Sequence, residues 1–396
     1  MFSHFLLDSC SFCIYGAGIV ASSVYTAMQT LYHKEPLFFL VSDIAENSSS
    51  SEQIPAEIDG IKVKSLSMWE HELQAGVSDT DIPACYLIAT PETHHQAITD
   101  LLRSMEAVQI ENAQIIPLTN ELENELMETY YCSLFEHETI LSILAKGQSR
   151  NMDDQEISSI QVFQAKSHMD KPLRGQQSLS GNRSSILPRY ITPIQVGATL
   201  TTQSIENLKD NTGDNISIKN RNYCELTATY YAWKHSQAAY KGICHYRRIF
   251  DISDEQMKRL LEPGQEWDVI LPYPSVYYPD ISKEHTRYVN ESDWNAMLQA
   301  LSETAPEYLE AYEKGITDGE KLFNNFNMLI AKAEVFDDYC KFLFTVLERT
   351  EELTTPKGSE RADRFAGYLG ENLTTIYFLK NRDKWKIAYA GKMWLT

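Results

Sequence analysis

Short apolar runs, each leading into a turn and then a helical stretch, constrain this chain more than any other feature. Phe12-Cys-Ile-Tyr15, Leu37-Phe-Phe-Leu-Val41 and Cys85-Tyr-Leu-Ile-Ala89 are the clearest. They are too short for buried helices and lack the alternation of a half-solvated strand, so they read as strands covered on both faces. Gly16-Ala-Gly18-Ile-Val-Ala21 follows the first run and opens a helix through Leu31. Ile61-Lys-Val63 and Gln114-Ile-Ile116 add brief strands, and a helix is expected from Thr93 to Met105. Strands alternating with helices predict an α/β fold built on a parallel, doubly wound sheet.

That pattern fills residues 12–131, and 396 residues are long for one domain, so two domains are expected. Residues 120–147 read as helical, and the polar stretch Gln148 to Glu156 reads as a linker, which puts the boundary near 150. Ile157 to Gln164 starts a second α/β pattern. Ser167 to Tyr190, rich in Gly, Ser, Pro, Lys and Arg, is too long for an ordinary connection and reads as a functional loop or an unstructured one. Further on, Tyr223 to His235 is an expected helix capped by Asn220 or Asn222. Gly242–Cys244, Trp267–Leu271 and Phe326–Ile330 are expected strands, and Phe336, Tyr339, Phe342, Leu343, Val346 and Leu347 recur at helical spacing. A last helix from Phe365 to Leu379 precedes an apolar tail ending at Trp394.

The formal net charge of -20 argues against a general nucleic-acid or anionic-membrane surface, which needs a basic footprint. An anionic ligand must therefore be held locally. No run of about 18 apolar residues predicts a spanning helix. Met1 to Cys13 carries Asp8 and no Lys or Arg, unlike a secretory signal. The seven cysteines fit reduced thiols in a cytoplasmic protein. Cys10-Ser-Phe-Cys13 has no second pair downstream to complete a zinc site.

Four stretches carry candidate chemistry. Gly16 and Gly18 match a dinucleotide fingerprint with Ala21 at its last position, and Asp43 would take a ribose hydroxyl; the plainer reading is a tight strand-to-helix turn. Asp214 to Glu225 is denser in polar groups than a helix start requires. There Lys219 would meet a phosphate, Asn220 and Glu225 a sugar, and Tyr223 a base, unless the stretch only caps a helix. Gly242-Ile-Cys-His-Tyr-Arg-Arg248 delivers His245, Tyr246, Arg247 and Arg248 at a strand end, where ligands of open α/β sheets sit. Paired guanidiniums there suit a diphosphate, although neighbouring side chains on a strand face opposite ways. Finally, Glu371 near the start of the last helix is either a solvated carboxylate favoured by the dipole or a general base.

Taken together, Pro193–Gly197, Gly213–Ser217, Lys219-Asn220, Tyr223–Ala228, Trp233-Lys234, Cys244–Arg248, Asp268–Pro272, Asn327-Met328, Phe336–Cys340 and Gly367–Glu371 resemble a bacterial family. It was first catalogued as of unknown function and is identified with capsular and exopolysaccharide glycosyltransferases. The resemblance covers about residues 157–396. It implies a GT-A-like domain over 151–396, behind a Rossmann-like domain with a helical linker over 1–150. It also implies transfer of a hexose from a nucleotide-diphosphate sugar, such as UDP-galactose or UDP-galactofuranose, to a glycan or lipid-linked oligosaccharide acceptor. Lys219, Asn220, Tyr223, Glu225, His245, Tyr246, Arg247, Arg248 and Asn327 would bind the donor. Glu371, then Asp363, would be the base of an inverting transfer, with His245 able to serve in either part.

GT-A enzymes usually hold a divalent metal with an Asp-x-Asp pair, and Asp251-Ile-Ser-Asp254 and Asp337-Asp338 do not match it. The expectation is no required cofactor and no metal ligand, with cationic side chains in the metal's place. The location expected is cytoplasmic, at the inner face of the membrane if the acceptor is lipid-linked, with peripheral contact only. The competing readings are a non-catalytic sugar-nucleotide sensor and an NAD-dependent oxidoreductase using the Gly16–Ala21 loop.

Overall fold

The computed structural model describes residues 11–43, 54–76, 78, 82–105, 108, 113–146, 159–171, 173, 176–178, 187–356 and 361–395. They form two units, Met1–Leu134 with Ser275–Ile281 and Phe135–Pro274 with Ser282–Thr396. The expected linker Gln148–Glu156 lies outside the described residues, as does most of the segment Ser167–Tyr190 beyond residue 173.

In the first unit, β1 (Phe12–Tyr15), β2 (Phe39–Val41), β4 (Ile61–Ser65), β5 (Cys85–Ile88) and β6 (Gln114–Pro117) pair in parallel. The short β3 (Glu57–Ile58) lies antiparallel on the edge. The order β3-β4-β2-β1-β5-β6 reverses direction at β1, as in a doubly wound sheet. All four residues of β1 and of β5 are buried, as expected of strands covered on both faces. Helices α1 (Ile19–Tyr32), α2 (Leu66–Ala75), α3 (His95–Ser104) and α4 (Asn120–Leu134) complete it. Trp69 and Tyr86, both without exposed surface, centre its core.

Gly16 leaves β1 with φ +128°, a conformation that disfavours any side chain. A Cβ there would lie 2.6 Å from the Ala89 carbonyl oxygen, whereas a Cβ on Gly18 would meet open space. The first glycine is thus demanded by packing and the second is not. Gly16→Ala is expected to cost about 2 kcal/mol or more, and Gly18→Ala within about 1 kcal/mol, in denaturant unfolding followed by hydrogen exchange at Tyr15. Equal costs would overturn this distinction.

The second unit opens with α5 (Ile140–Lys146) and then holds a mixed sheet. Its strands are β7 (Ile160–Lys166), β8 (Gln176–Ser178), β9 (Ile191–Gln195), β10 (Tyr240–His245), β11 (Arg248–Phe250) and β12 (Val269–Pro272). The chain then returns to the first unit for Ser275–Ile281. There, β13 (Ser275–Val276) places the Val276 carbonyl 3.4 Å from Ser22 Oγ and 3.5 Å from Ser23 Oγ on α1. The second unit resumes and adds β14 (Leu322–Phe323), β15 (Leu329–Lys332), β16 (Ile387–Ala390) and β17 (Lys392–Leu395). Its helices are α6 (Asn220–Tyr223), α7 (Leu226–His235), α8 (Asp254–Leu260), α9 (Glu291–Thr304), α10 (Pro306–Thr317), α11 (Ala333–Leu353) and α12 (Phe365–Lys380).

β10 is central, parallel to β7 and antiparallel to β15 and β11. Buried Asp210 organises the approach to α6: it accepts from Gly197 N–H (2.8 Å), Ala198 N–H (3.1 Å), Ser217 Oγ (2.5 Å) and Thr227 Oγ1 (2.7 Å). A carboxylate with this many donors fixes several turns at once.

Five sequence expectations change here. The helix expected from Tyr223 to His235 is two helices, broken at Cys224, whose φ of 50° no continuous helix allows. Glu225, not Asn220 or Asn222, is the N-cap of the second. The strand expected at Phe326–Ile330 begins only at Leu329, because Phe326 and Asn327 take positive φ (76° and 48°) in a turn. The strand at Gly242–Cys244 runs from Tyr240 to His245, and Arg248 already belongs to its partner. The apolar tail is two strands, one of which pairs with β11. Among the described residues, no helix is long and apolar enough to cross a membrane.

Candidate active site

β10 and β11 form a hairpin in which His245 and Arg248 are the opposed pair, so both project from one face of the sheet. Tyr246 and Arg247 are the two turn residues, and Arg247 is exposed beside the Tyr246 ring (5.4 Å). Arg248 is half-buried. Its guanidinium carbon lies 4.4 Å from the Phe326 ring centre and 4.2 Å from that of Trp394, its cross-strand neighbour on β17. Cation–π contact with two rings holds the charge. Its buried Nε has no hydrogen-bond partner among the described residues. Burial, with Arg247 adding, pushes the Arg248 guanidinium down to about 10, so it stays cationic at neutral pH.

His245 donates through Nε2 to the Phe326 carbonyl and sits 3.7 Å from Glu225 Oε1. Burial holds its pKa down against the pull of Glu225, so the imidazole is neutral, with the proton on Nε2. Glu225 accepts from Asn327 Nδ2 (2.7 Å), whose other hydrogen reaches the Gly367 carbonyl (3.0 Å). The left-handed turn at Phe326 and Asn327 thereby serves three groups: a carbonyl for His245, an amide for Glu225 and a backbone hydrogen bond for Glu371. Positive φ at a phenylalanine is costly and such strain concentrates at functional sites.

Helix α12 brings the last components. Arg364, its N-cap, donates from Nε to Cys224 Sγ (3.2 Å), and Tyr368 and Glu371 follow one and two turns later on the same side. Gly370 allows the close approach: a Cβ there would lie 2.7 Å from Leu226 and 3.0 Å from Asn327 Oδ1. Burial, then the charges of Glu225 and Glu284, push the Glu371 carboxyl well above the usual carboxylate range, opposed by the Phe326 backbone and Arg248. The Cys224 thiol is pushed up to about 12 by burial and Glu225, which leaves it protonated and a poor nucleophile.

The structure therefore gathers Glu225, His245, Arg248, Asn327 and Glu371 around one turn. The other candidates are engaged elsewhere. Lys219 pairs with Glu351 (2.5 Å), which also accepts from the buried Tyr223 hydroxyl (3.2 Å). Asn220 Nδ2 donates to the Cys224 carbonyl (2.7 Å) and Thr227 Oγ1 (3.0 Å), closing the break between α6 and α7. Asp363 pairs with Arg361, itself held bidentately by buried Asp293. In the first unit, Asp43 accepts from Ser67 N–H (3.1 Å) and Oγ (2.7 Å), so it secures the start of α2. Among the described residues no group of three or more His, Cys, Asp and Glu could hold a metal. Asp254 binds Arg189 N–H, Asp337 pairs with Lys241, and Asp338 with Lys384. Phe326, Trp394 and Arg364 escape the sequence reading: Phe326 sits in an apolar run that reads as a strand, Trp394 in an apolar tail, and nothing around Arg364 sets it apart.

The Glu371 shift has a measurable consequence. Above the ordinary carboxyl range the unfolded chain releases this proton while the folded chain keeps it, so stability falls as pH rises toward the folded-state value. Glu371→Gln mimics the protonated form. The variant should match the wild type near about pH 4 and melt at a higher temperature at about pH 8. A variant no more stable at the higher pH would show that the carboxyl is not held protonated.

No curated protein matches the chain. A solved apo structure of the bifunctional glycosyltransferase WbbM is similar at 24% identity and a TM-score of 0.49, over 59% of this chain and 45% of that one. The chain thus spans less than half of that protein, and a likeness this loose carries no function across. Residues 183–382 match the family described as a domain of unknown function, DUF4422. That stretch is just over half of the chain and contains the whole cluster around Phe326 except Trp394, and the chain belongs to this family.

Proposed function

We propose that the second unit is a glycosyltransferase that moves a hexose from a nucleotide-diphosphate sugar to a hydroxyl of a surface glycan. The observation that carries this reading is an arginine clamped by two aromatic rings within electrostatic reach of a carboxyl with raised proton affinity. Arg248, with Arg247 at the turn, suits the diphosphate, because a guanidinium fork matches phosphate oxygens and neutralises a departing anion. Glu371 suits the acceptor hydroxyl, since raised proton affinity makes it a stronger base than a surface carboxylate. In an inverting transfer the acceptor oxygen would bond to the anomeric carbon and its proton would pass to Glu371. The anomeric carbon–oxygen bond would break and its electrons leave with the nucleoside diphosphate. Neutral His245 and Glu225 would face the sugar between the two, with Asn327 holding Glu225 in place from behind. Lys219, Asn220 and Tyr223 would support the pocket wall, and Asp363 would brace the start of α12. The donor expected is a UDP-hexose, the acceptor a growing capsular or exopolysaccharide chain, and the location cytoplasmic.

The test is turnover of a nucleotide-sugar panel by the full chain. Consumption of at least one sugar nucleotide is expected, with activity retained in excess chelator; complete loss restored by manganese would refute arginine standing in for a metal. Glu371→Gln is expected to lower turnover about a hundredfold or more and to remove the acidic limb of the pH profile, where activity rises as the carboxyl ionises. Near-normal turnover would discard Glu371 as the base. Binding of UDP without turnover of any donor would favour a sensor, and NAD binding would favour an oxidoreductase.

A further inference from the structure

Two hydrogen-bond acceptors in the cluster are uncommitted. The Nε2–H of His245 goes to the Phe326 carbonyl, which leaves a lone pair on Nδ1. Nδ1 has no hydrogen-bond partner among the described residues and, unlike Arg248 Nε, is not sealed from solvent. Glu225 receives one side-chain hydrogen, from Asn327 Nδ2 at Oε1; its Oε2 is likewise unpartnered among those residues and unsealed. The two side chains are only 13% and 10% exposed, and their nearest atoms lie 3.7 Å apart. Each therefore presents one edge to the site and is held from behind, His245 by the Phe326 carbonyl and Glu225 by Asn327. Burial keeps the imidazole neutral, so no proton occupies Nδ1 at neutral pH. A largely buried acceptor without a donor costs free energy until water or a ligand supplies one.

From this juxtaposition we propose that His245 Nδ1 and Glu225 Oε2 form an acceptor pair that reads the hydroxyls of one neutral sugar, one O–H donating to each. The proposal rests on the glycosyltransferase reading of the same site and extends it from the leaving diphosphate to the group that is moved. A pair with acceptors and no donors selects by chemistry. Hydroxyls donate to it, whereas phosphate and carboxylate oxygens meet only lone pairs. Arg248, opposed to His245 across the hairpin, offers donors only. Neighbouring residues of one hairpin thus address an anion and a polyol separately. A uracil ring also carries one N–H donor, but carbonyl acceptors flank it, so it suits a pair of acceptors less well than adjacent sugar hydroxyls do. A sugar lacking one of those hydroxyls would leave an acceptor bare, and that penalty exceeds the loss of an apolar contact.

The experiment is nitrogen NMR on the full chain carrying labelled histidine, with the His245 signals assigned by their loss in His245→Phe. The free protein should show a protonated Nε2 and a bare Nδ1 at neutral pH. UDP-galactose, UDP-glucose and methyl hexopyranosides are then added, with UDP as the control. At least one sugar probe should move the Nδ1 resonance upfield, the mark of an accepted hydrogen bond, and UDP alone should leave it in place. In calorimetry, His245→Phe and Glu225→Gln should each weaken the sugar probe at least about fivefold and leave UDP binding unchanged. A proton on Nδ1, an Nδ1 signal that no sugar probe moves, an equal shift from UDP alone, or undiminished sugar binding by both variants would each overturn the pair. Turnover of a sugar nucleotide with a silent Nδ1 would leave the transferase standing without it. A methyl hexopyranoside that moves Nδ1, in a chain that consumes no sugar nucleotide, would uphold the pair and sink the transferase reading alone.

Discussion

The side-chain amide of Asn327 spends both of its hydrogens inside the protein, one on Glu225 at the start of α7 and one on the Gly367 carbonyl in α12. Thr374 Oγ1 adds a longer contact to its oxygen (3.4 Å). A buried amide with every hydrogen placed costs little to bury and much to disturb. Because Asn327 is pinned, so is the left-handed turn it shares with Phe326. That turn sets the carbonyl that holds the His245 ring, the ring that covers Arg248 and the backbone group that meets Glu371. Asparagine tolerates this conformation better than most residues; phenylalanine does not, and its strain is held by the surrounding bonds.

The electrostatics of the cluster follow from what each charge is denied. Burial, then the charges of Glu225 and Glu284, raise the cost of ionising Glu371 and so its proton affinity. Arg248 lies against two rings, and among the described residues its buried Nε has no hydrogen-bond partner, while the charges of Glu371 and Glu225 offset part of the cost of its burial. His245 is kept neutral by burial and its proton is directed by a carbonyl. An acidic protein thus keeps a small cationic spot beside a carboxyl whose proton affinity is raised.

Much of the architecture was legible in the chain because buried strands and Gly-marked turns leave local signatures. Phe12–Tyr15, Cys85–Ile88 and the helix from Phe365 were found nearly at their observed bounds. The α6–α7 break at Cys224 was not legible, since its positive φ is accompanied by a hydrogen bond from distant Arg364 to the thiol, beside the local one from Asn220 to the carbonyl. Nor was the turn at Phe326, where an apolar run beside a strand conceals its strain. His245, Arg248 and Glu371 could be singled out from residue type and position. That Lys219 and Tyr223 share Glu351, 128 or more residues away, needed the fold.

The return of Ser275–Ile281 to the first unit means that neither unit is a single stretch of polypeptide. A fragment ending before that segment would lack the Val276 carbonyl that the two serines of α1 face, leaving buried hydroxyls with one acceptor fewer. No single protease cut or gene truncation releases either half whole. An end-to-end fusion carrying one uninterrupted stretch would therefore leave part of either unit behind.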